Sequence, residues 1–226
     1  MHHGARGLIL SLLVGLALPA AGAAADLDAV VARLEATYAQ LRDLKAEFRQ
    51  VSHNKGLGQT IEAEGTLFLK KPDKLRWEFR TPTRQEIVSD GERLWIHTPD
   101  LQQVNVAETR RVLAGPAGSF LAGLGRLRES FSVRFLNPAQ RTDEAGRILL
   151  DLAPKQPEPS LARLIVAADP ETGLVRKAVV YDQFGNTVTL TFTRVSVNPG
   201  LPDALFAFTP PPGTAVVPVP SLPGAQ

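Results

Sequence analysis

The sequence contains no cysteine, which excludes several kinds of chemistry at once. Without thiols the chain forms no disulfide, binds no metal through thiolates, and offers no thiol nucleophile or lipid-modified cysteine. Beyond the first segment only His53 and His97 remain, and their spacing fits no metal motif. The chain also lacks a Gly-x-Ser-x-Gly elbow, a His-Glu-x-x-His motif and a glycine-rich phosphate loop. It therefore predicts no catalytic, metal or cofactor site.

Strong net charge and a second long hydrophobic run are also missing. The net charge of +2 argues against nucleic acid as a partner, which calls for a concentrated basic surface. The apolar run from Leu8 to Leu18 follows Arg6 and precedes Ala23-Ala24-Ala25, the pattern of a signal peptide over residues 1–25. An uncleaved anchor is the alternative. We expect an exported protein that begins at Asp26, located in the periplasm if the source has two membranes.

The mature chain predicts one helix followed by many strands. Apolar residues at helical spacing form the helix face, and Asp26 or Asp28 is able to cap its first turn. The face comprises Leu27, Val30, Val31, Leu34, Tyr38 and Leu41. Between Lys74 and Arg80, apolar and charged residues alternate strictly, which is typical of a strand with one dry face. About eleven such strands are expected, and a sheet of that size curls into an open or closed barrel.

Two segments depart from the strand pattern. Residues 114–127 combine apolar residues with four glycines, which predicts a short, weakly stable helix. The stretch from Pro210 to the end is rich in proline and valine, and we interpret it as an extended or disordered tail, or as a docking segment for a partner. This gives a single domain over 26–209 and a proline-rich tail over 210–226.

Short motifs occur in one order along most of the mature chain. They are Phe48-x-Gln50, Gly65-x-Leu67, Lys71-Pro72, Arg76-Trp77, Ser89-Asp90-Gly91-x-x-Leu94-Trp95, Pro99-x-Leu101-x-Gln103-Val104 and Phe206-x-Phe208-x-Pro210-Pro211-x-Gly213. Together they resemble the LolA family of periplasmic outer-membrane lipoprotein carriers. The resemblance implies a mainly β fold: an incomplete antiparallel barrel with an N-terminal helix and a short helical lid over a hydrophobic cavity.

The resemblance also implies a function and its partners. A monomeric, non-enzymatic carrier would take acylated lipoproteins from a LolCDE-type inner-membrane ABC transporter and pass them to a LolB-like outer-membrane receptor. It would shield the acyl chains on the way, and it would need no cofactor.

Three groups of residues are the candidate site. The expected cavity wall contains Leu67, Leu69, Leu75, Trp77, Phe79 and Trp95, and ordinary core packing is the alternative for each of them. The expected lid contains Pro116, Phe120, Leu121 and Leu124. The family places an arginine before the strand-end proline, where it holds carbonyls of the lid; this chain has Lys71 there, which keeps the charge and loses the planar fork. Arg76 is the nearby alternative, but its parity places it on the outward face.

Two other functions stay open at the level of sequence. One is a LolA-like carrier or sensor of a different amphiphile, such as a glycolipid or a polyene. The other is a hydrolase that uses scattered carboxylates on an open barrel, although Asp143-Glu144 and Asp169-x-Glu171 stand beside glycines and are typical of turns.

Overall fold

The computed structural model describes residues 26–109, 124–157 and 160–219. Its helices are α1 (Leu27–Gln40) and α2 (Leu127–Ser130), with 3-10 helices at Pro99–Leu101, Leu124–Arg126 and Asp203–Phe206. Its strands are β1 (Asp43–Asn54), β2 (Gln59–Lys70), β3 (Lys74–Thr81), β4 (Gln85–Asp90), β5 (Arg93–Thr98), β6 (Gln103–Glu108), β7 (Phe131–Phe135), β8 (Ile148–Pro154), β9 (Arg163–Ala168), β10 (Val175–Tyr181), β11 (Thr187–Val197) and β12 (Ala215–Pro218). Among these residues, no helix has the length and apolarity needed to cross a bilayer.

All twelve strands belong to one sheet in the order β12-β6-β5-β4-β3-β2-β1-β11-β10-β9-β8-β7. Neighbours are antiparallel, except that β12 runs parallel to β6. The order has two free ends, so the sheet is unclosed. The predicted mainly β fold is therefore confirmed, with twelve strands in place of about eleven. The additional strand comes from the proline-rich tail, where Pro218 is tolerated because β12 is an edge strand.

One face of the sheet, here called the inner face, carries the main core. The continuous register of β1 with β2 puts Ala46 opposite Leu67 and Phe48 opposite Gly65 on this face. The predicted helix exists and buries Val31 and Leu34 against the same core. Asp26 is its N-cap residue, but the Asp26 side chain makes no capping hydrogen bond.

Polar contacts fix α1 on two sides. Thr37 Oγ1 donates to the carbonyl of Thr172 at 2.7 Å, in the turn between β9 and β10. On the other side, Arg128 of α2 donates to the Glu35 carboxylate at 2.7 Å through its guanidinium and at 2.9 Å through its backbone N–H. Gly173 lets the turn approach closely, because a Cβ at this position would lie 2.8 Å from Thr37 Oγ1.

The strand directions give the sheet two distinct ends. One end, here called the latch end, carries the β2–β3 turn at 71–73, the β9–β10 turn at 169–174 and the C-terminus of α1. The opposite end, here called the tip end, carries the β1–β2 turn at 55–58 and the β10–β11 turn at 182–186. The β5–β6 connection at 99–102 is also at the tip end.

The C-terminal segment packs on the outer face of β3, β4 and β5. Asp203 pairs with Lys70 at 2.7 Å and with Lys74 at 3.2 Å, and these two ammonium groups hold the pKa of Asp203 below its ordinary value. Phe206 is fully buried in this segment, and Phe208 contacts Trp95 with ring centroids 5.9 Å apart. The Phe206-x-Phe208 motif thus closes a second, smaller apolar layer outside the sheet.

Candidate functional site

Three aromatic rings from two strands form a compact cluster on the inner face. Phe48 meets Trp77 edge to face at 5.4 Å and Phe79 at 5.1 Å, while Trp77 and Phe79 stack at 5.8 Å. Such arrangements are the preferred ones for aromatic pairs and add to the benefit of burial. The alternation in β3 predicted the shared face of Trp77 and Phe79. Phe48 was missed as a site residue, although its alternation with Ala46 and Leu44 in β1 was a usable signal.

The cluster depends on a glycine in the neighbouring strand. A Cβ at Gly65 would lie 1.8 Å from the carbonyl oxygen of Glu78 and 2.7 Å from Cε1 of Phe48. Real Cβ atoms do not approach backbone this closely, so any side chain here would push β2 away from β3 or displace the Phe48 ring. The glycine of the Gly65-x-Leu67 motif is therefore explained by the close approach of β3 and of the Phe48 ring.

Five of the predicted wall residues share the inner face, and they are here called the inner wall: Leu67, Leu69, Leu75, Trp77 and Phe79. Leu67, Leu75 and Trp77 are buried in the main core, while Leu69 and Phe79 are half-buried and pack against it. Within the described residues, the indole Nε1 of Trp77 is buried and has no hydrogen-bond partner. The common face is thus established, and contact of this wall with a ligand stays a prediction.

The prediction for Trp95 is wrong, because Trp95 lies on the outer face. In the sheet register it pairs with Val88 and Val106, whereas Trp77 pairs with Ile87 and so shares a face with Ile96. The Trp95 ring packs against Phe208 of the C-terminal segment. The apolar run Leu94-Trp95-Ile96 supplies both faces of β5.

Lys71 lies at the latch end and contacts the last turn of α1. Its Nζ donates to the carbonyl oxygen of Tyr38 at 2.6 Å and to that of Ala39 at 3.2 Å. Carbonyls at a helix C-terminus lack partners within the helix and carry partial negative charge, so a lysine there is stabilising. The Tyr38 hydroxyl in turn accepts from the Val175 N–H at 3.1 Å, and burial raises the pKa of Tyr38 to about 12.

Lys71 therefore holds α1. The predicted lid residues Pro116, Phe120 and Leu121 lie outside the described residues, and so does any contact between them and Lys71. Leu124 begins the short 3-10 helix Leu124–Arg126, which packs against α1. Arg76, the alternative latch, lies on the outer face as its parity indicated and binds Glu86 at 3.0 Å.

Two hollows flank α1. One of about 210 Å³ lies between Arg33 and the β9–β10 turn, and one of about 540 Å³ lies beside Lys71, Arg42 and Lys70. Neither is lined by the inner wall, whose side chains pack against the core.

Three of the polar residues considered for catalysis, Asp143, Asp169 and His97, make structural contacts. Asp143 accepts from the Ala145 N–H at 3.0 Å and from the Arg147 side chain; partial burial raises its pKa, but these bonds outweigh it and hold the pKa below the ordinary value. Asp169 accepts from the Thr172 N–H at 2.9 Å, which lowers its pKa. His97 packs on the Phe208 ring at 5.6 Å. Across the described part of the chain, His, Asp and Glu form no group that could hold a metal ion.

Comparison with known proteins agrees with this geometry. The sequence model of the family described as "Outer membrane lipoprotein carrier protein LolA" matches residues 39–209. A protein of Dechloromonas aromatica named outer-membrane lipoprotein carrier protein is 34% identical over 176 residues, which cover 78% of this chain and 81% of the relative. A protein of the same name from Chromobacterium violaceum is 32% identical over 207 residues, 92% of this chain and 93% of the relative.

A solved structure also has this fold. An uncharacterised conserved protein from Thermus thermophilus aligns with a TM-score of 0.55 and 12% identity, over 85% of this chain and 98% of its own. The sequence matches, which span most of the chain, are the stronger finding: this chain belongs to the LolA family.

Proposed function

We propose that the mature protein is a periplasmic carrier that shields the acyl chains of lipoproteins during transfer between membranes. It would accept cargo from a LolCDE-type inner-membrane ABC transporter and deliver it to a LolB-like outer-membrane receptor. The relatives' name, outer-membrane lipoprotein carrier protein, supports the cargo class. The observation that carries the proposal is the inner wall, an apolar surface of β2 and β3 whose side chains belong to the same core as those of α1.

The energetics of cargo define what the wall must do. Burial of an acyl chain is worth about 0.8 kcal/mol per methylene, so a carrier must offer an extended apolar surface to compete with a bilayer. Phe79 and Leu69 are the half-buried members of the wall, so an acyl chain is expected to contact them before the buried members. The buried members Leu67, Leu75 and Trp77 share the core with α1 and would become accessible only when that core opens.

Movement of α1 is opposed by the burial of Val31, Leu34 and Tyr38 in the core and by a few polar contacts at its surface. Lys71 holds its C-terminus, Thr37 holds it to the β9–β10 turn, and Glu35 holds it to Arg128. Each contact of this kind contributes about 1 kcal/mol and is replaceable by water. The polar part of the cost of moving α1 is therefore small, and burial of the cargo's acyl chains would offset the loss of its apolar contacts until α1 returns after release.

The carboxylates support a role without turnover. Asp143 and Asp169 are held in turns by hydrogen bonds that lower their pKa, which is the reverse of what a general acid requires. A protein in this role binds its cargo stoichiometrically and releases it unchanged.

The test is a release assay with two matched phenylalanine variants. Mature protein from Asp26 onward is added to transporter proteoliposomes that hold a labelled triacylated lipoprotein, with and without ATP. Phe79 and Phe208 are both half-buried, on the inner and outer faces respectively. We expect an ATP-dependent soluble one-to-one complex with the wild type and with Phe208→Ser, and a strongly reduced yield with Phe79→Ser.

Failure of folded wild-type protein to form this complex with an active transporter would contradict the proposal. Lipid identification on protein purified without detergent then tests the alternative, a carrier or sensor of another amphiphile. Equal loss in both variants would assign the effect to general destabilisation, which thermal unfolding of each variant measures directly.

A further inference from the structure

Two apolar side chains project into solvent from neighbouring hairpin turns at the tip end. Leu57, in the turn between β1 and β2, is 70% exposed, and Phe184, in the turn between β10 and β11, is 81% exposed. Isolated exposed leucines are common on protein surfaces. A phenylalanine that projects from a turn beside a second exposed apolar residue is less common and indicates a contact surface.

The two turns are joined to each other. The backbone N–H of Lys55 donates to Asn186 Oδ1 at 2.9 Å, which ties the first turn to the second. The Lys55 side chain then crosses Gly185, where its Cδ lies only 3.0 Å from the position of a Cβ. Lys55 therefore stands next to Phe184, and it joins the two turns through its backbone and its side chain.

Each turn is also braced internally, so its apolar residue is held outward. Asn54 Oδ1 accepts from the Leu57 N–H at 2.9 Å. The Asp182 carboxylate accepts from the N–H groups of Phe184 at 2.9 Å and of Asn186 at 2.8 Å. Burial raises the pKa of Asp182, but these bonds outweigh it and keep the pKa below its ordinary value, so the brace persists at neutral pH.

We propose that Leu57 and Phe184 form a two-pronged contact with the surface of an anionic phospholipid bilayer, with Lys55 facing the lipid headgroups. A bilayer interface accepts single protruding apolar side chains and favours a lysine beside them. A stable protein interface buries about 800 Å² on each partner as a continuous packed patch. Leu57 and Phe184 lie on separate turns and are flanked by polar Asn54 and Gln59. This arrangement fits a bilayer surface better than a protein interface.

Leu101 provides a matched control. It is also 70% exposed and lies at the tip end, but its turn is between β5 and β6, four strand positions along the sheet, and the acidic Asp100 precedes it. A contact made by the joined turns requires Leu57 and Phe184 and does not require Leu101. General stickiness of exposed leucines would affect Leu57 and Leu101 equally.

The experiment measures flotation of cargo-free mature protein with vesicles of phosphatidylglycerol and phosphatidylethanolamine, and with vesicles of phosphatidylcholine alone. Leu57→Ser and Phe184→Ser should each weaken binding about 10-fold, since each removes one buried apolar side chain. Lys55→Ala should weaken binding about 5-fold on the anionic vesicles alone. Leu101→Ser should bind as the wild type does.

A second readout reports where the protein touches the lipid. Because the chain has no cysteine, one introduced thiol is labelled uniquely. Gly56→Cys has room for a side chain at the tip, its nearest neighbour being Asn54 Oδ1 at 3.5 Å, and Glu92→Cys is exposed at the latch end. A polarity-sensitive dye should shift to the blue with vesicles at position 56 and stay unchanged at position 92.

Three results would overturn the proposal. They are wild-type protein that does not float with anionic vesicles, a Leu57→Ser/Phe184→Ser protein that floats normally, and Leu101→Ser that loses binding as much as Leu57→Ser does. If the double variant binds vesicles normally but fails to collect cargo from the transporter, the prongs contact a protein and the lipid assignment is wrong. Because the assay uses no cargo, its outcome is independent of the release assay.

Discussion

Lys71 Nζ lies 2.6 Å from the carbonyl oxygen of Tyr38, which joins the strand end after β2 to the last turn of α1. The hydroxyl of the same tyrosine accepts from Val175 in β10. Since β1 and β11 separate β2 from β10 in the sheet, Tyr38 connects two distant parts of it. The helix, which shares the core with the inner wall, is therefore anchored to both parts at one residue.

Replacement of Lys71 should loosen this anchor without disturbing the sheet. Lys71→Met keeps the aliphatic stem and removes the two hydrogen bonds, so the free energy of unfolding should fall by about 1 kcal/mol. Amide exchange at the C-terminal turn of α1 should increase, and Lys71→Arg should restore protection because its guanidinium reaches the same carbonyls. Unchanged exchange in Lys71→Met would show that packing of Leu34 and Tyr38 alone holds the helix.

Gly65 should tolerate no side chain. Gly65→Ala places a methyl group against the backbone of Glu78 and the ring of Phe48, so we expect a loss of about 3 kcal/mol in the free energy of unfolding, as for other overpacked sites. Gly56→Ala is the matched control, because its Cβ would meet nothing closer than 3.5 Å. Urea titration of both variants makes the comparison, and equal stability would mean that β2 shifts at little cost.

Local patterns were sufficient for the strands and for most of the inner wall. The alternation of Leu75, Trp77 and Phe79 with charged residues depends only on the two-residue period of a strand with one buried face. The shared face of these residues followed from the sequence for that reason. Their contacts with Phe48 could not be predicted from the alternation, because those contacts depend on β1 lying next to β2, on the side away from β3.

The failures occurred where a distant segment decides the environment. Trp95 could not be assigned from its neighbours, since Leu94 and Ile96 are apolar too and the C-terminal Phe208 covers its outer face from 113 positions away. The tail was expected to be extended or disordered; Ala215–Pro218 is extended, and only its pairing with the free edge of β6 was not predicted. The acceptors of Lys71 are likewise 32 and 33 positions away in sequence.

The two tryptophans give a direct test of which face receives an acyl chain. Trp77→Phe and Trp95→Phe each leave one indole, on the outer and the inner face respectively. A brominated fatty acyl ligand should quench the emission of Trp77 strongly and that of Trp95 weakly, because bromine quenches only on contact. Quenching of Trp95 alone would place the ligand under the C-terminal segment and would contradict the inner wall as its binding surface.

The outer-face cluster around Asp151 should make stability depend on pH in the acid range. The buried Asp151 carboxylate binds Arg163 at 2.7 Å and Arg134 at 2.6 Å. Burial raises the pKa of Asp151, but the two arginines outweigh burial, so the folded pKa lies below the ordinary value. A depressed folded pKa stabilises the protein above the unfolded pKa of about 3.9, and this contribution is lost as the pH falls through the folded pKa.

Asp151→Asn removes that contribution while keeping the shape of the side chain. At pH 7 the variant should be less stable than the wild type by about 2 kcal/mol, the worth of a hydrogen-bonded charged group. The difference should shrink below about pH 4, because the carboxylate of the unfolded wild type takes up a proton there before the folded one does, and it should be lost once the pH falls through the depressed folded pKa. Urea unfolding of both proteins from pH 7 to pH 3 measures this. A difference that stays constant with pH would mean that Asp151 stabilises the sheet through hydrogen-bond geometry and not through its charge.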